Sequence, residues 1–395
     1  MTSRRLVLSR SAALIGAAST GLLLPRFASA QGGKIRVGLM LPYTGTFAQL
    51  GVAIENGFRM AIDEQGGKLG GREIEFFKVD DESNPPKGVE NANKLVQRDK
   101  VDVLIGTVHS GVQMGIQKVA RDSGVLSIIP NAGVLAATGA LCAPNVFRSS
   151  FTNSQPTLAL GGPMVAKGHK KAVWITWKYS AGDEAFQGFK EGFLKAGGTI
   201  VKEIAVPFPN VEFQAQLTEI AALNPDAVAC FFAGGGAVKF MKDYAAAGLK
   251  GKIPLYGSGF LTEGVLDAAG EAAEGVTTTL HYADGLDNPR NKAFRLAYAK
   301  AFKLQPDVYA VQGYDAGQLL VLGANAVKGD LSNKKVLHAA MGGATIDSPR
   351  GKWKMSPSHN PIQDIYLRQV VKGENKVMGV AAKQLADSGA GCKMG

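Results

Sequence analysis

The chain is expected to fold as an α/β protein of two doubly wound lobes, each a parallel sheet with helices on both faces. Short apolar runs rich in β-branched residues alternate with stretches of helical period from Ile35 onward. The same rhythm restarts after Phe151, which implies a second lobe built like the first. The 395 residues exceed what one hydrophobic core serves and suit two domains of about 150 to 200 residues.

Residues 1–30 read as a signal peptide. Arg4 and Arg5 precede an apolar stretch from Ala12 to Leu24, and Ala28-Ser29-Ala30 offers the small-x-small pattern of a cleavage site before Gln31. The apolar core falls short of the about 20 residues that span a bilayer, and Pro25 argues against a lasting membrane helix. The paired arginines point to export by the twin-arginine route, so the chain is expected in the periplasm.

In the first lobe, Ile35 to Leu41 reads as a strand. Phe47 to Glu64 follows as a helix with Leu50, Ile54, Phe58 and Ile62 on one face. Glu73 to Val79 alternates as a strand, and Pro86 to Arg98 is a helix opened by prolines. Val103 to Ile105 is a buried strand, Val112 to Asp122 a helix, and Leu126 to Ile129 a strand. In the second lobe the strands are Ala172–Thr176, Thr199–Val206 and Ala227–Phe232, separated by helices Asp183–Ala196, Phe213–Leu223 and Gly236–Ala247. Further elements follow: strands at Pro254–Gly257 and Val276–Tyr282, helices at Lys292–Phe302 and Asp315–Val327, and a hairpin of Gly351–Lys354 with Ile365–Val371. That surplus implies that part of the C-terminal region returns to the first lobe.

The formal charge is +11, and the signal segment accounts for four of the arginines, so the remainder stays basic. Export and the scatter of the lysines argue against nucleic acid, and a solvated basic surface remains. The three cysteines differ in context. Cys230 lies in an apolar strand. Cys142 and Cys392 lie in turn-like segments, and an oxidising compartment permits a disulfide between them, although spacing alone fixes no connectivity. His109, His169, His281, His338 and His359 are isolated, and no Cys/His spacing suits a metal. No cofactor is expected.

In open parallel sheets, ligands sit beyond the carboxyl ends of the strands. Here those loops carry glycine, hydroxyl and aromatic residues and few charges: Pro42 to Leu50, Gly106 to Gly111, Pro130 to Gly133, Trp177 to Gly182, Ala233 to Gly236 and Gly257 to Thr262. Ser110 at a helix start, beside His109, suits a carboxylate, which an uncharged site holds with hydroxyl and backbone N–H donors. An ordinary N-cap role for Ser110 is the alternative. Tyr43, Phe47, Leu50, Tyr179 and Phe260 suggest an apolar clamp.

Enzyme motifs are incomplete. After Gly234, a dinucleotide loop needs glycine where Lys239 stands, and a nucleophile elbow around Ser258 needs glycine where Tyr256 stands. His109 has no evident orienting carboxylate. A binding protein without catalysis is expected.

Taken in order, Lys34 to Gly51, Asp63 to Gly71, Gly106 to Ser110, Phe147-Arg148, Tyr179 to Gly182 and Gly313 to Gly317 carry a family resemblance. The chain resembles the periplasmic substrate-binding components of ABC transporters, in the branched-chain amino acid (Leu/Ile/Val-binding) family. The resemblance implies the type I periplasmic binding protein fold, a two-lobed clamp whose chain crosses three times, here near Ser150, Ala283 and Gly351. The lobes would be 31–150 with 283–350 and 151–282 with 351–395. It implies a ligand held between lobes, a monomer, and partners in membrane permease and ATPase subunits. Ser110 matches the serine that holds the ligand carboxylate. Asn131, Ala132 and Gly133 match a neighbouring contact loop, Leu50 matches a lining side chain, and Ala181 falls in a loop that closes the site.

Two positions depart from the family pattern. Asn153 stands at an aspartate position near the ligand amine, and Gly259 stands where an acid pairs with the α-ammonium. Burying an unpaired ammonium costs several kcal/mol, so an amine-free carboxylate is expected. With Phe47, Tyr179, Phe260, His281 and Tyr282 nearby, the favoured ligand is an aromatic carboxylic acid. A branched-chain or other amino acid is the alternative, with Glu263 or Asp183 as its acid. A ligand-sensing regulator of the same fold is a further alternative, and a secreted hydrolase lacks a supported nucleophile.

Overall fold

The computed structural model describes residues 33–394, so the expected signal segment lies outside the described residues. Among those described, no helix is long and apolar enough to cross a membrane.

The first sheet is β1 (Ile35–Leu41), β2 (Ile74–Asp80), β3 (Val103–Ile105), β4 (Leu126–Ile129) and β5 (Val146–Arg148). All pairs are parallel, in the order β2-β1-β3-β4-β5. Val37, Leu39, Met40 and Leu41 are all buried, as a strand covered on both faces requires. Three helices connect the strands: α1 (Ala48–Asp63), α2 (Pro85–Asn93) and α3 (Ser110–Ser123). The α1 stripe of Leu50, Ile54, Phe58 and Ile62 is buried. Asn84 caps α2 by accepting from the Lys87 amide at 3.2 Å, and Lys94–Arg98 continues it as a π turn.

After the short helices α4 (Ser154–Leu158) and α5 (Gly161–Ala166) the second sheet begins. It contains β6 (Lys171–Lys178), β7 (Thr199–Pro207), β8 (Ala227–Phe231), β9 (Leu255–Ser258) and β10 (Thr277–Leu280). They run parallel in the order β7-β6-β8-β9-β10, the arrangement of the first sheet repeated. Its connecting helices are α6 (Ser180–Lys195), α7 (Gln214–Leu223), α8 (Gly234–Ala246) and α9 (Leu266–Ala269).

The surplus elements are α10 (Pro289–Phe302), α11 (Val308–Ala326), α12 (Lys334–Gly342), β11 (Thr345–Ile346), β12 (Trp353–Met355), β13 (Pro361–Val371) and β14 (Glu374–Leu385). α11 begins well before the expected Asp315, because Asp307 caps it by accepting from the Ala310 amide at 3.0 Å. It lies so close to α1 that a β-carbon on Gly57 would sit 1.9 Å from the Ala310 oxygen. Leu319, Leu320, Leu337, Met341, Trp353 and Met355 join the core of the first lobe.

The last crossing differs from the one expected near Gly351. There the chain turns into β12, and Trp353 keeps it in the first lobe by filling the core and donating to Asp315 at 3.0 Å. β13 makes the crossing: Ile362 pairs with Lys354 of β12, whereas Arg368 pairs with Thr278 of the second sheet. The expected hairpin thus forms between β12 and the start of β13, at Pro361 and Ile362 and not at Ile365–Val371, and β14 adds antiparallel to the rest of β13 through a turn at Lys372-Gly373. Cys142, in the first-lobe loop before β5, forms a disulfide with Cys392 in the tail after β14, with Cα atoms 5.5 Å apart. Cys230 is a buried free thiol.

Candidate ligand-binding cleft

In both sheets the strand order reverses beside the first strand, and at such a point the loops diverge and leave a crevice. The loops after β1 and β3 and those after β6 and β8 converge on one cleft between the lobes. Phe47, Leu50, Val108, Ser110, Asn131 and Gly133 line it from the first lobe. Tyr179, Ala181, Phe231, Ala233 and Phe260 line it from the second, with Phe151, Asn153 and Tyr309 closing the remainder. Among the described residues, none of those lining it carries a charge.

Its polar end is the start of α3. The cap is His109, not Ser110: the His109 Nδ1 accepts from the amides of Gly111 at 3.1 Å and Val112 at 3.3 Å. A ring nitrogen that accepts twice carries no proton, so the proton sits on Nε2. Burial pushes the imidazole pKa down to about 4, which keeps it neutral. The Ser110 hydroxyl is thereby released from capping. Its oxygen accepts from the Asn153 Nδ2 at 3.2 Å, and its own proton has no acceptor among the described residues. Asn153 also donates to the Glu184 carboxylate at 2.8 Å, and Glu184 accepts from the Leu135 amide at 3.0 and 3.1 Å. Burial raises the Glu184 pKa. A hydroxyl donor on a helix N-terminus, without a full charge, can receive a carboxylate.

Aromatic rings form the walls. Phe260 packs on Phe151 with centroids 4.7 Å apart and stacks near Tyr309 at 5.9 Å. Tyr179 stacks on His109 across the lobes, and Phe47 packs on Trp177 and Phe208. The Tyr309 hydroxyl is buried and has no hydrogen-bond partner among the described residues. Such a cavity suits a flat ring with one anionic end.

Residues 34–375 match the sequence pattern described as periplasmic binding protein. The chain belongs to the periplasmic binding protein family. A relative, the Leu/Ile/Val-binding protein homolog 6 of Brucella melitensis, is 31% identical over 350 residues, 86% of this chain and 88% of that protein. Among solved structures, an ABC transporter solute-binding protein from R. palustris in complex with benzoate is 55% identical. It superposes with a TM-score of 0.89, covering 91% of this chain and 100% of that one. A solute-binding protein from Rhodopseudomonas palustris BisB5, in complex with 3,4-dihydroxybenzoic acid, is 32% identical with a TM-score of 0.85, covering 90% and 99%. The two-lobed type I architecture of the family is the one described above.

Not every candidate residue of this binding protein reaches the cleft. Tyr43 does not line it: its ring packs at the edge of the core, beneath the Lys78 ammonium at 3.8 Å. Ala132 is buried behind the loop, its carbonyl accepting from Arg148 at 3.1 Å. Gly234 lies at the rim against the Thr46 oxygen, across the lobes. Gly259 faces Arg368, which donates to its carbonyl at 2.9 Å and forms a buried ion pair with Glu263. His281 sits one layer back, stacked on Phe151 at 5.4 Å and joined to Gln312 at 3.1 Å. Burial, with Arg350 and Arg368 nearby, holds its pKa well below the usual histidine value.

Neither of the acids expected as an amine's partner is in the cleft. Glu263 is committed to Arg368, and Asp183 is exposed and paired with Lys178 at 3.1 Å. Sequence reasoning missed Val108, Phe151, Phe231, Ala233 and Tyr309. All but Tyr309 sit in or just beyond a strand end, the place from which the other lining residues come.

Proposed function

We propose that this protein is the periplasmic solute-binding component of an ABC importer, and that it captures an aromatic carboxylate of the benzoate type between its lobes. The observation that carries this reading is the cleft itself. It pairs the Ser110 hydroxyl at the start of α3 with walls of Phe47, Phe151, Phe231 and Phe260, and its lining has no acid. An α-ammonium buried there would lack a counter-charge at a cost of several kcal/mol. A carboxylate needs hydrogen-bond donors instead, and the Ser110 hydroxyl at the start of α3 supplies one. The benzoate-bound R. palustris protein, at 55% identity, supports the same ligand class.

Closing on the ligand would bring residues of both lobes onto it, and the closed form is the one that permease subunits and their ATPases would receive. The protein's role would be binding and delivery, without catalysis. Export would place it in the periplasm, with Arg4 and Arg5 directing it to the twin-arginine route.

The test is calorimetry on residues 31–395 with benzoate, 4-hydroxybenzoate, 3,4-dihydroxybenzoate, leucine and valine. One benzoate-type ligand per chain is expected, together with thermal stabilisation of roughly 2.7 kcal/mol at 100 times the dissociation constant. Binding of leucine or valine with no response to any benzoate would overturn the reading in favour of an amino acid carrier.

A further inference from the structure

Glu184 does not touch the cleft, yet it is bonded to the residue that orients the cleft's polar end. It stands on α6 of the second lobe, and its carboxylate accepts from the Leu135 amide of the first lobe at 3.0 and 3.1 Å. The same carboxylate accepts from the Asn153 Nδ2 at 2.8 Å, and that nitrogen's other proton goes to the Ser110 oxygen at 3.2 Å. An asparagine amide presents donors on one side and an acceptor on the other, and the two orientations have almost the same shape. What selects between them is the neighbour. An ionised carboxylate only accepts, so Glu184 fixes the Asn153 nitrogen toward itself and toward Ser110. The Asn153 oxygen is turned instead to Gly133, where a β-carbon would come within 2.3 Å of it.

The serine then has one arrangement open to it. Its oxygen is already an acceptor, so its single proton is left to donate. With Asn153 reversed, the serine would spend that proton on the Asn153 oxygen and turn lone pairs to the ligand.

We propose that Glu184 is a positioning residue for anion selectivity: by holding the Asn153 amide it aims the Ser110 proton at the ligand, so the seat accepts a carboxylate over its neutral amide. This rests on the reading of the cleft as a carboxylate site. Burial of Glu184 among first-lobe and second-lobe groups also means that the arrangement is complete only when the lobes are together. The buried Arg148 guanidinium offsets part of its charge.

The test measures benzoate and benzamide binding by calorimetry in the wild type, Glu184→Gln, Ser110→Ala and the double variant, with thermal unfolding of each unliganded protein. Glutamine keeps the shape but also donates, which frees Asn153 to reverse. E184Q is expected to weaken benzoate by at least about tenfold while benzamide stays within about twofold. In the S110A background E184Q should cost nothing more, because it acts through that hydroxyl. A benzoate affinity in E184Q within about twofold of wild type, an equal loss for both ligands, or additive losses in the double variant would each overturn the proposal. A wild type that binds none of the carboxylates would overturn the cleft reading itself, and the positioning role with it.

Discussion

The imidazole of His109 lies almost parallel to the ring of Tyr179, with centroids 4.8 Å apart and planes at 19°. His109 caps a helix of the first lobe and Tyr179 precedes a helix of the second, so this stacked pair is a contact between lobes. Aromatic pairs contribute about 0.5 to 1.5 kcal/mol beyond the area they bury. Tyr179→Ala also removes part of the cleft wall. It is expected to weaken benzoate binding by about tenfold or more and also to lower the melting temperature of the unliganded protein, because the ring packs on Phe208 and Phe231 as well. Calorimetry and differential scanning on the same variant check both halves.

The cap itself predicts a pH dependence. His109 is neutral in the fold with a pKa of about 4, against about 6.5 when unfolded. Between these values the unfolded chain binds the extra proton, so stability from this group is complete above about pH 6.5 and is lost as pH falls toward 4. Asp307, raised by burial to about 7, works in the opposite direction. His109→Asn keeps a capping acceptor that does not titrate, so the difference between variant and wild type isolates the histidine. Between pH 7.5 and 4.5 that difference should move in favour of H109N by about 2 to 3 kcal/mol. Denaturant unfolding at the two pH values measures it, and a difference independent of pH would contradict the neutral cap.

Ser110→Ala removes the donor from the start of α3. A hydrogen bond to a charged group contributes about 1.5 to 3 kcal/mol, so benzoate affinity should fall by about tenfold to a hundredfold. The hydroxyl's partner within the protein is the Asn153 amide at 3.2 Å, and the unliganded fold should lose much less. Calorimetry beside thermal unfolding separates the two.

Closure can be tested at the rim. A β-carbon on Gly234, whose φ is +56°, would stand 2.3 Å from the Thr46 oxygen of the opposite lobe, whereas one on Gly235 meets only the Thr46 Oγ1, at 3.5 Å. Gly234→Ala should hold the lobes apart and weaken benzoate binding by about tenfold or more, and Gly235→Ala should leave it nearly unchanged. Small-angle scattering with saturating ligand should show G234A more extended than G235A. Equal behaviour of the two variants would mean that this contact does not limit closure.

The sheets are readable in the sequence where burial on both faces demands continuous apolar runs, as in Ile35–Leu41 and Ala227–Phe231. β14 has no such signature, because it forms an edge with Met378 and Val380 exposed, at 52% and 43%, and nothing in its sequence alternates. Likewise the loop Gly106 to Gly111 marks the start of α3 as an anion seat. That an imidazole would take over the capping is a matter of His109 being buried against Tyr179, which depends on the second lobe. Tyr309 is hidden by a helix start that rests on Asp307 alone. Glu184 reads as an ordinary first-turn acid, and only the meeting of the two lobes brings it the Leu135 amide and Asn153 as partners. What the sequence leaves illegible is mostly what the lobes do to one another.

The disulfide has a topological consequence. Cys142 and Cys392 lie 250 residues apart, the first before every passage between lobes and the second after all of them. The tail reaches Cys142 beside Ala140, on the first lobe, after leaving β14 in the second sheet. The oxidised chain is therefore a covalent ring that contains the whole second lobe and every strand of the hinge. Melting the hinge leaves the lobes linked at both ends of that ring. Closing a loop of this length in the unfolded chain contributes on the order of 5 kcal/mol in the chain-entropy view, and reduction turns the ring back into a string.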